Sequence, residues 1–223
     1  MVTHVIFDID GLLLDTERLY FEGQRQTLEK MGHEYTFQVA RNVMGRGDRE
    51  GTQILIDTFK LKMTVDQYMA ESDKVLDELL KTAKLLPGAD RLVRHLHKHK
   101  IPIAVCTGAK KKHFYPKTLH HQQFFSLFNH IVLASDDPDI KQGKPAPDCF
   151  KVTASRFIPP PSHSSKVLVF EDSPNGLSAA LAADMKVVMV PDSRVDASVK
   201  STATQCLNSL TEFRPEQFGL PAY

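Results

Sequence analysis

The sequence predicts an α/β fold: a Rossmann-like parallel sheet in three layers, α/β/α, interrupted by an inserted block of α-helices. Three observations predict it. Beyond residue 87, apolar runs rich in Val, Ile and Leu alternate with helix-length segments, the pattern of a parallel sheet covered on both faces. Before that point the chain is helical in pattern and free of proline, all 13 prolines lying at Pro87 or later. A first apolar run, residues 3–8, precedes the helices and cannot bury itself unless it joins the later sheet.

That first run reads Val5-Ile6-Phe7-Asp8-Ile9-Asp10-Gly11, a short strand ending in two carboxylates and a glycine turn. From residue 16 to residue 86, apolar residues recur at three and four spacing and fit four helices with short polar breaks. Thr16, after Asp15, and Thr64 are N-cap candidates. After Pro87-Gly88, strands are expected at 101–107, 130–134, 166–171 and 186–191. Helices are expected at 89–99, 113–127, 147–157 and 174–183. The organisation that follows is a core of residues 1–15 and 88–223 with residues 16–87 inserted after strand one. Pro159-Pro160-Pro161 reads as a stiff surface loop.

Composition narrows the function classes. A chain of 223 residues, 42% hydrophobic, supports a sizeable core. Its formal net charge of +1 favours neither nucleic acid nor membrane as a partner. Cys106, Cys149 and Cys206 have no paired or metal-type spacing and read as reduced thiols of a cytoplasmic protein. No charged leader and no long apolar segment is seen, so neither a signal peptide nor a membrane span is expected.

In open parallel sheets, ligands bind off the carboxyl ends of the strands. Strand one ends in Asp8, and the next ends in Thr107-Gly108. The third is followed by Gly143-Lys144-Pro145, and the fourth ends in Glu171-Asp172-Ser173. One rim thus collects an acid able to act as nucleophile, a hydroxyl, a cation and a second acidic pair. Asp8 and Asp10, two residues apart, are expected on one side of the pleat. Like charges that close repel unless a cation or proton lies between them, which suggests a divalent metal.

Asp8-x-Asp10-Gly11, Thr107, Lys144-Pro145 and Glu171-Asp172, in that order, resemble the four-motif signature of the haloacid dehalogenase-like hydrolase superfamily. The resemblance covers essentially the whole chain, and the helical insertion resembles that superfamily's small α-helical cap. Residues 5–17 (VIFDIDGLLLDTE), 124–133 (FFSLFNHIVL), 169–176 (VFEDSPNG) and 207–223 (LNSLTEFRPEQFGLPAY) are similar to the animal pseudouridine-5′-phosphatases. What the resemblance implies is a Mg²⁺-dependent phosphomonoesterase, a cytoplasmic monomer acting on a small phosphorylated metabolite, pseudouridine 5′-phosphate. It implies that Asp8 attacks phosphorus to form an aspartyl-phosphate. Asp10 would protonate the leaving oxygen and then deprotonate water. Mg²⁺ would be held by the Asp8 and Asp172 carboxylates and the Asp10 backbone carbonyl, with Glu171 in or near the shell. Lys144, Thr107 and backbone amides near Gly108 would hold the phosphoryl oxygens. The segment Met44-Gly45-Arg46-Gly47-Asp48-Arg49, between helices of the insertion, reads either as a flexible turn or as a specificity loop that closes over the substrate, with Arg46 or Arg49 reaching it.

Two positions depart from many relatives. Gly108 replaces a serine, which would alter substrate contacts, and Asp184 replaces a glycine, which would alter a helix end. Other groups have blander readings. His95, His97 and His99 share a helix C-terminus with Lys98 and Lys100, where cations suit the dipole, and are not read as metal ligands. Lys110, Lys111 and Lys112 are either a solvated helix start or a basic mouth that attracts anions. Ser173 and Asn175 read as helix caps and Asp15 as a tie for the first loop. The rival readings are a sugar phosphomutase, a phosphatase of other sugar phosphates or nucleotides, and a non-catalytic binding protein. Retention of every reactive group opposes the last. No Gly-x-Gly-x-x-Gly follows strand one, which disfavours a dinucleotide enzyme.

Overall fold

A computed structural model of the chain describes residues 1–43 and 46–223. Strand β1 (His4–Phe7) opens it and is followed by four helices, α1 (Glu17–Lys30), α2 (Phe37–Val43), α3 (Asp48–Phe59) and α4 (Val65–Leu80). Helix α5 (Ala89–Lys98) leads into β2 (Ile103–Thr107), then α6 (Lys111–Thr118), α7 (Gln122–Phe125) and β3 (His130–Leu133). Next come α8 (Asp148–Ser155), β4 (Val167–Glu171), α9 (Pro174–Ala182), β5 (Lys186–Met189), α10 (Ala197–Lys200) and β6 (Gln205–Cys206). The six strands form one sheet in the order β3-β2-β1-β4-β5-β6, and every pair is parallel.

Alternation along the strands divides the core. Val5, Phe7, Val105 and Phe170 face α5 and the C-terminal residues Leu210, Phe213 and Phe218. Ile6, Ala104, Cys106 and Val169 face α8 and α9 on the other side. Phe7 and Phe170, neighbours across β1 and β4, stack at 4.8 Å between ring centroids. The helices between β1 and α5 have an apolar centre of their own, with Leu28, Tyr35, Ala40, Leu55, Ile56 and Tyr68. Leu19, Leu76 and Leu80 of α1 and α4 join the sheet's core instead, and tie that block to it. Among the described residues no helix is long and apolar enough to cross a membrane. Cys106 and Cys149 are buried and Cys206 is exposed, all unpaired.

Several local expectations change. Strand one stops at Phe7, one residue short of Asp8. The segment read as one helix, 113–127, is broken: α6 contains Pro116, which lacks an N–H, and a 3-10 turn at Leu119–His121 separates it from α7. The Thr16 hydroxyl does not cap α1, whereas Thr64 forms a full capping box with Gln67. Asp184 closes the turn after α9 with φ +57°, a left-handed conformation that glycine adopts without cost. Strand β6 went unread because two polar-flanked edge residues carry no periodic signal.

Candidate active site

The strand order reverses direction between β1 and β4. The chain runs outward through β2 and β3, then returns to the far side of β1. The crevice at such a switch point is where open α/β sheets bind ligands. Asp8 sits there because its backbone N–H continues the ladder onto Phe170 O at 3.0 Å. Its carboxylate Oδ1 accepts from Lys144 Nζ at 2.6 Å. The same ammonium donates to Glu171 Oε1 at 2.5 Å and to the Cys106 carbonyl at 3.2 Å, which occupies all three of its N–H bonds. Burial alone would lower the Lys144 pKa, but the carboxylates of Asp8 and Glu171 more than reverse it, and the lysine stays charged. For Asp8 burial wins: it raises the carboxyl to about 7 against the pull of Lys144, and Glu171 and Asp10 add to the rise.

Asp10 lies past the end of β1, and its carboxylate takes a different partner. Lys117 Nζ, from α6, lies 2.6 Å from Oδ1 and 2.5 Å from Oδ2. The hydroxyl that fails to cap α1, Thr16 Oγ1, donates to Oδ1 at 2.7 Å, and Thr107 Oγ1 donates to Oδ2 at 3.3 Å. Burial pushes the Asp10 pKa up, but the Lys117 charge and these hydrogen bonds outweigh it, and the net shift is down. The two acids expected to crowd one face of a pleat thus each have their own ammonium, although the charge of Asp10 still raises Asp8.

Asp172 faces them from just past the end of β4. Burial, Glu171 and Asp8 hold its carboxyl well above the usual range, and no described side chain hydrogen-bonds to it. Its carboxylate packs over Gly11, which has φ +77°; a Cβ there would lie 2.3 Å from Asp172 Oδ2. Glu171, expected in or near a metal shell, is spent elsewhere: fully buried, it binds Lys144, both N–H groups of Asp172 and Ser173, and the Ser173 hydroxyl. Among the described residues no three His, Cys, Asp or Glu side chains form a ready-made metal cage. What remains is a pair of carboxylates, Asp8 and Asp172, that want positive charge and offer oxygen alone. That donor set fits a hard cation which completes its shell with a main-chain carbonyl, water and substrate oxygens.

These groups form the floor of a cleft of about 460 Å³ whose other wall comes from the helices after β1. Glu17, Tyr20 and Gln24, at i, i+3 and i+7 on α1, line it with Thr52 of α3 and Met69, Ser72 and Leu76 of α4. Arg46 reaches the cleft but is paired with Glu50 at 2.7 Å. Arg49 does not reach it; it is exposed and held by Asp66 at 2.5 Å. Met44 and Gly45 of that loop lie outside the described residues. Gly108 lines the cleft, and nothing lies within 4 Å of the position its Cβ would take, so a serine would fit there. Of the lysine run, Lys110 and Lys112 cross to Asp48 and Asp73 on the opposite wall, at 3.4 and 2.5 Å. His95 and His97 bind the carbonyls of Pro221 and Leu127, and the His99 ring packs at a tilt against His95; none lies near the site. Ser173 caps α9 through Gly176 N, and Asn175 is exposed.

The sequence model described as "Haloacid dehalogenase-like hydrolase" matches residues 5–190. The chain belongs to the haloacid dehalogenase-like hydrolases. A Drosophila melanogaster relative named "Probable pseudouridine-5'-phosphatase" is 47% identical over 222 residues, all of this chain and 96% of the relative. An Arabidopsis thaliana "(DL)-glycerol-3-phosphatase 2" is 44% identical, over all of this chain and 93% of its own. Among solved structures, a "putative beta-phosphoglucomutase" from Thermotoga maritima superposes with a TM-score of 0.79 at 27% identity, covering 95% of this chain and 96% of that one. The expectation of a phosphatase on this fold is borne out by these relatives.

Two features of this haloacid dehalogenase-like hydrolase escaped the sequence reading. The α1 wall at residues 17, 20 and 24 was legible as one helical face, but nothing distinguished it from solvated surface. Lys117 was passed over among polar neighbours. Its one signal is register: it falls three residues after Phe114, on the buried face of α6.

Proposed function

We propose that this enzyme is a Mg²⁺-dependent phosphomonoesterase that works through an aspartyl-phosphate on Asp8 and takes a nucleoside monophosphate, pseudouridine 5′-phosphate first. The observation that carries the reading is the pairing at the switch point: Asp8 is gripped at one oxygen by Lys144 and faces the partnerless carboxylate of Asp172. The other Asp8 oxygen would form the bond to phosphorus while the ester bond breaks; Asp10, ionised beside Lys117 in the free enzyme, would take up a proton as the substrate dianion binds and give it to the leaving oxygen. Water would then attack the phosphoryl group and release Asp8, with Asp10 accepting the water's proton. Lys144 would orient Asp8 and soften its repulsion from the substrate dianion. The Thr107 hydroxyl and the amides that follow it would donate to the phosphoryl oxygens. Magnesium would be held by Asp8, Asp172 and the Asp10 backbone carbonyl; bound there, it would neutralise charge on the phosphoryl oxygens.

The substrate reading rests on the relatives and on the cleft. A volume of about 460 Å³ suits a small molecule and is generous for a glycerol phosphate. The wall opposite Asp8 offers neutral hydrogen-bonding groups. The Ser72 hydroxyl is buried without a partner, and Gln24 is oriented by the Tyr68 hydroxyl, which donates to its Oε1 at 2.6 Å. Of the charged groups there, Arg46, Asp48 and Asp73 are already paired, and the remaining one, Glu17, is acidic. Such a wall favours a neutral polyhydroxylated or base-bearing leaving group over a second phosphate, which weighs against the mutase. Phosphate release would be measured from pseudouridine 5′-phosphate, uridine 5′-phosphate, glycerol 3-phosphate and hexose phosphates. Pseudouridine 5′-phosphate should give the highest kcat/KM. Equal values for the two nucleotides would defeat the specific claim, and sugar phosphates interconverted without phosphate release would favour the mutase.

A further inference from the structure

Among the described residues, Lys117 is the one lysine whose side chain is wholly buried beside the proposed reaction centre, with 0% exposure. Burying an ammonium is costly unless it is fully paired. Its partner is a single carboxylate, and it engages both oxygens of that carboxylate. Phe114 and Thr118 are buried on the same face of α6. Thr16 and Thr107 approach the same two oxygens from the start of α1 and the end of β2. Asp10 is therefore held from three elements, whereas Asp8 is held by a side chain at one oxygen only. The contrast matches the two tasks. A nucleophile needs an oxygen left free, and a group that exchanges protons with two successive partners needs a fixed direction.

We infer that Lys117 is a positioning residue for Asp10, fixing the orientation in which that carboxylate meets the leaving oxygen and then the attacking water. The inference rests on the phosphatase reading and deepens it. A misplacement of about 1 Å at a proton-transferring group is enough to cost roughly 10²-fold in rate. Without the ammonium, Asp10 keeps only the two hydroxyl contacts, which leave its plane free to turn.

The test compares wild type with Lys117→Met and Lys117→Gln, each checked for folding by circular dichroism and melting. The glutamine keeps one donor for Asp10 without the charge. Asp10→Asn and the Lys117→Met/Asp10→Asn double variant complete the set. Each is assayed with p-nitrophenyl phosphate, whose leaving group needs no proton, and with an alkyl phosphate such as glycerol 3-phosphate, whose leaving group does. Lys117→Met should lose about 10²–10⁴-fold in kcat on the alkyl phosphate, the usual worth of general acid–base catalysis. Its first turnover of p-nitrophenyl phosphate should be little changed, and phosphoenzyme should accumulate. Lys117→Gln should fall between. Adding Lys117→Met to Asp10→Asn should cost little more, because both remove one function. Equal losses in the first turnover of the two substrates, or fully additive losses in the double variant, would overturn the inference and leave Lys117 a structural residue. Wild type inactive on both esters would instead sink the phosphatase reading, so the two failures are distinguishable.

Discussion

At the scale of single residues, the site turns on which charge each carboxylate meets. Asp8→Asn keeps the shape and the contact to Lys144 but removes the nucleophile, so turnover should fall by at least about 10⁴-fold, as when other covalent enzymes lose theirs. Multiple-turnover assays and intact mass measurement of phosphoenzyme would read this; sustained turnover would rule out Asp8 as nucleophile. Gly11 supplies a second test. Gly11 and Gly32 both have positive φ, +77° and +80°, yet a Cβ at Gly11 would strike Asp172 while at Gly32 it meets nothing within 4 Å. Alanine at either position should cost about 1–2 kcal/mol of backbone strain, seen as a lower Tm. Only Gly11→Ala should also displace Asp172 and cut activity by more than tenfold; equal activity losses in the two variants would show that Asp172 placement does not matter. Asp8 and Asp172 were legible in the sequence because each lies just past a strand end, where an apolar run stops, and Lys144, well beyond the end of β3, was legible by its place in the order of the motifs. Lys117 was not, because its position depends on the rotation of a proline-containing helix and on a long side chain reaching across to Asp10. Glu171 misled for a related reason. A carboxylate at a strand end looks like a ligand until its neighbours' N–H groups are seen to consume it.

At the scale of elements, the helices after β1 were legible as amphipathic segments, but their seating on the sheet was not. That seating depends on contacts between residues far apart in sequence. Helix α4 meets α6 through Asp73, which takes Lys112 Nζ at 2.5 Å and His113 Nε2 at 3.0 Å, and α3 meets the same loop through Asp48 and Lys110. Arg194, in the loop after β5, lies 4.7 Å over the Phe37 ring of α2. These side chains are partly exposed, so each ion pair is worth about 0.2–1 kcal/mol and is screened by salt. Together they hold the cleft walls at their present spacing. Asp73→Asn should therefore raise KM by roughly threefold with kcat little changed, the equivalent of about 0.6 kcal/mol. Added salt should weaken wild type in the same direction and the variant less. A fall in kcat with KM unmoved would mean that the α4–α6 contact serves the chemistry rather than the closing of the walls.

At the scale of the molecule, the parallel sheet sets a cost that the fold alone does not relieve. Ending β1 and β4 side by side brings Asp8, Glu171 and Asp172 together with one ammonium, Lys144, facing Asp8 and Glu171. Burial raises Asp8 from an ordinary 3.8 to about 7 and Asp172 well upward, so the folded chain resists ionising both. The sign follows from proton linkage. Between about pH 4 and 7 the folded state binds more protons at Asp8 than the unfolded chain does. The stability that Asp8 contributes is thus complete below about pH 4 and is lost as pH rises toward 7. A divalent cation between Asp8 and Asp172 would remove that penalty by supplying the missing charge. In metal-free protein at pH 7.5, Mg²⁺ at a hundred times its Kd should add about 2.7 kcal/mol, a rise in Tm of roughly 5–10 °C for a chain of this size. At pH 5 the shift should shrink, because protons on Asp8 and Asp172 must leave before the cation can bind. EDTA should silence turnover and Mg²⁺ restore it. Ca²⁺, with longer bonds and higher coordination, should bind and stabilise yet inhibit, because it would draw Asp8 out of line with phosphorus. Thermal melts with each ion at the two pH values separate binding from catalysis. A Tm that ignores Mg²⁺ at pH 7.5, or a shift of equal size at pH 5, would mean that these carboxylates hold no metal and that Lys144 alone balances the charge at the switch point.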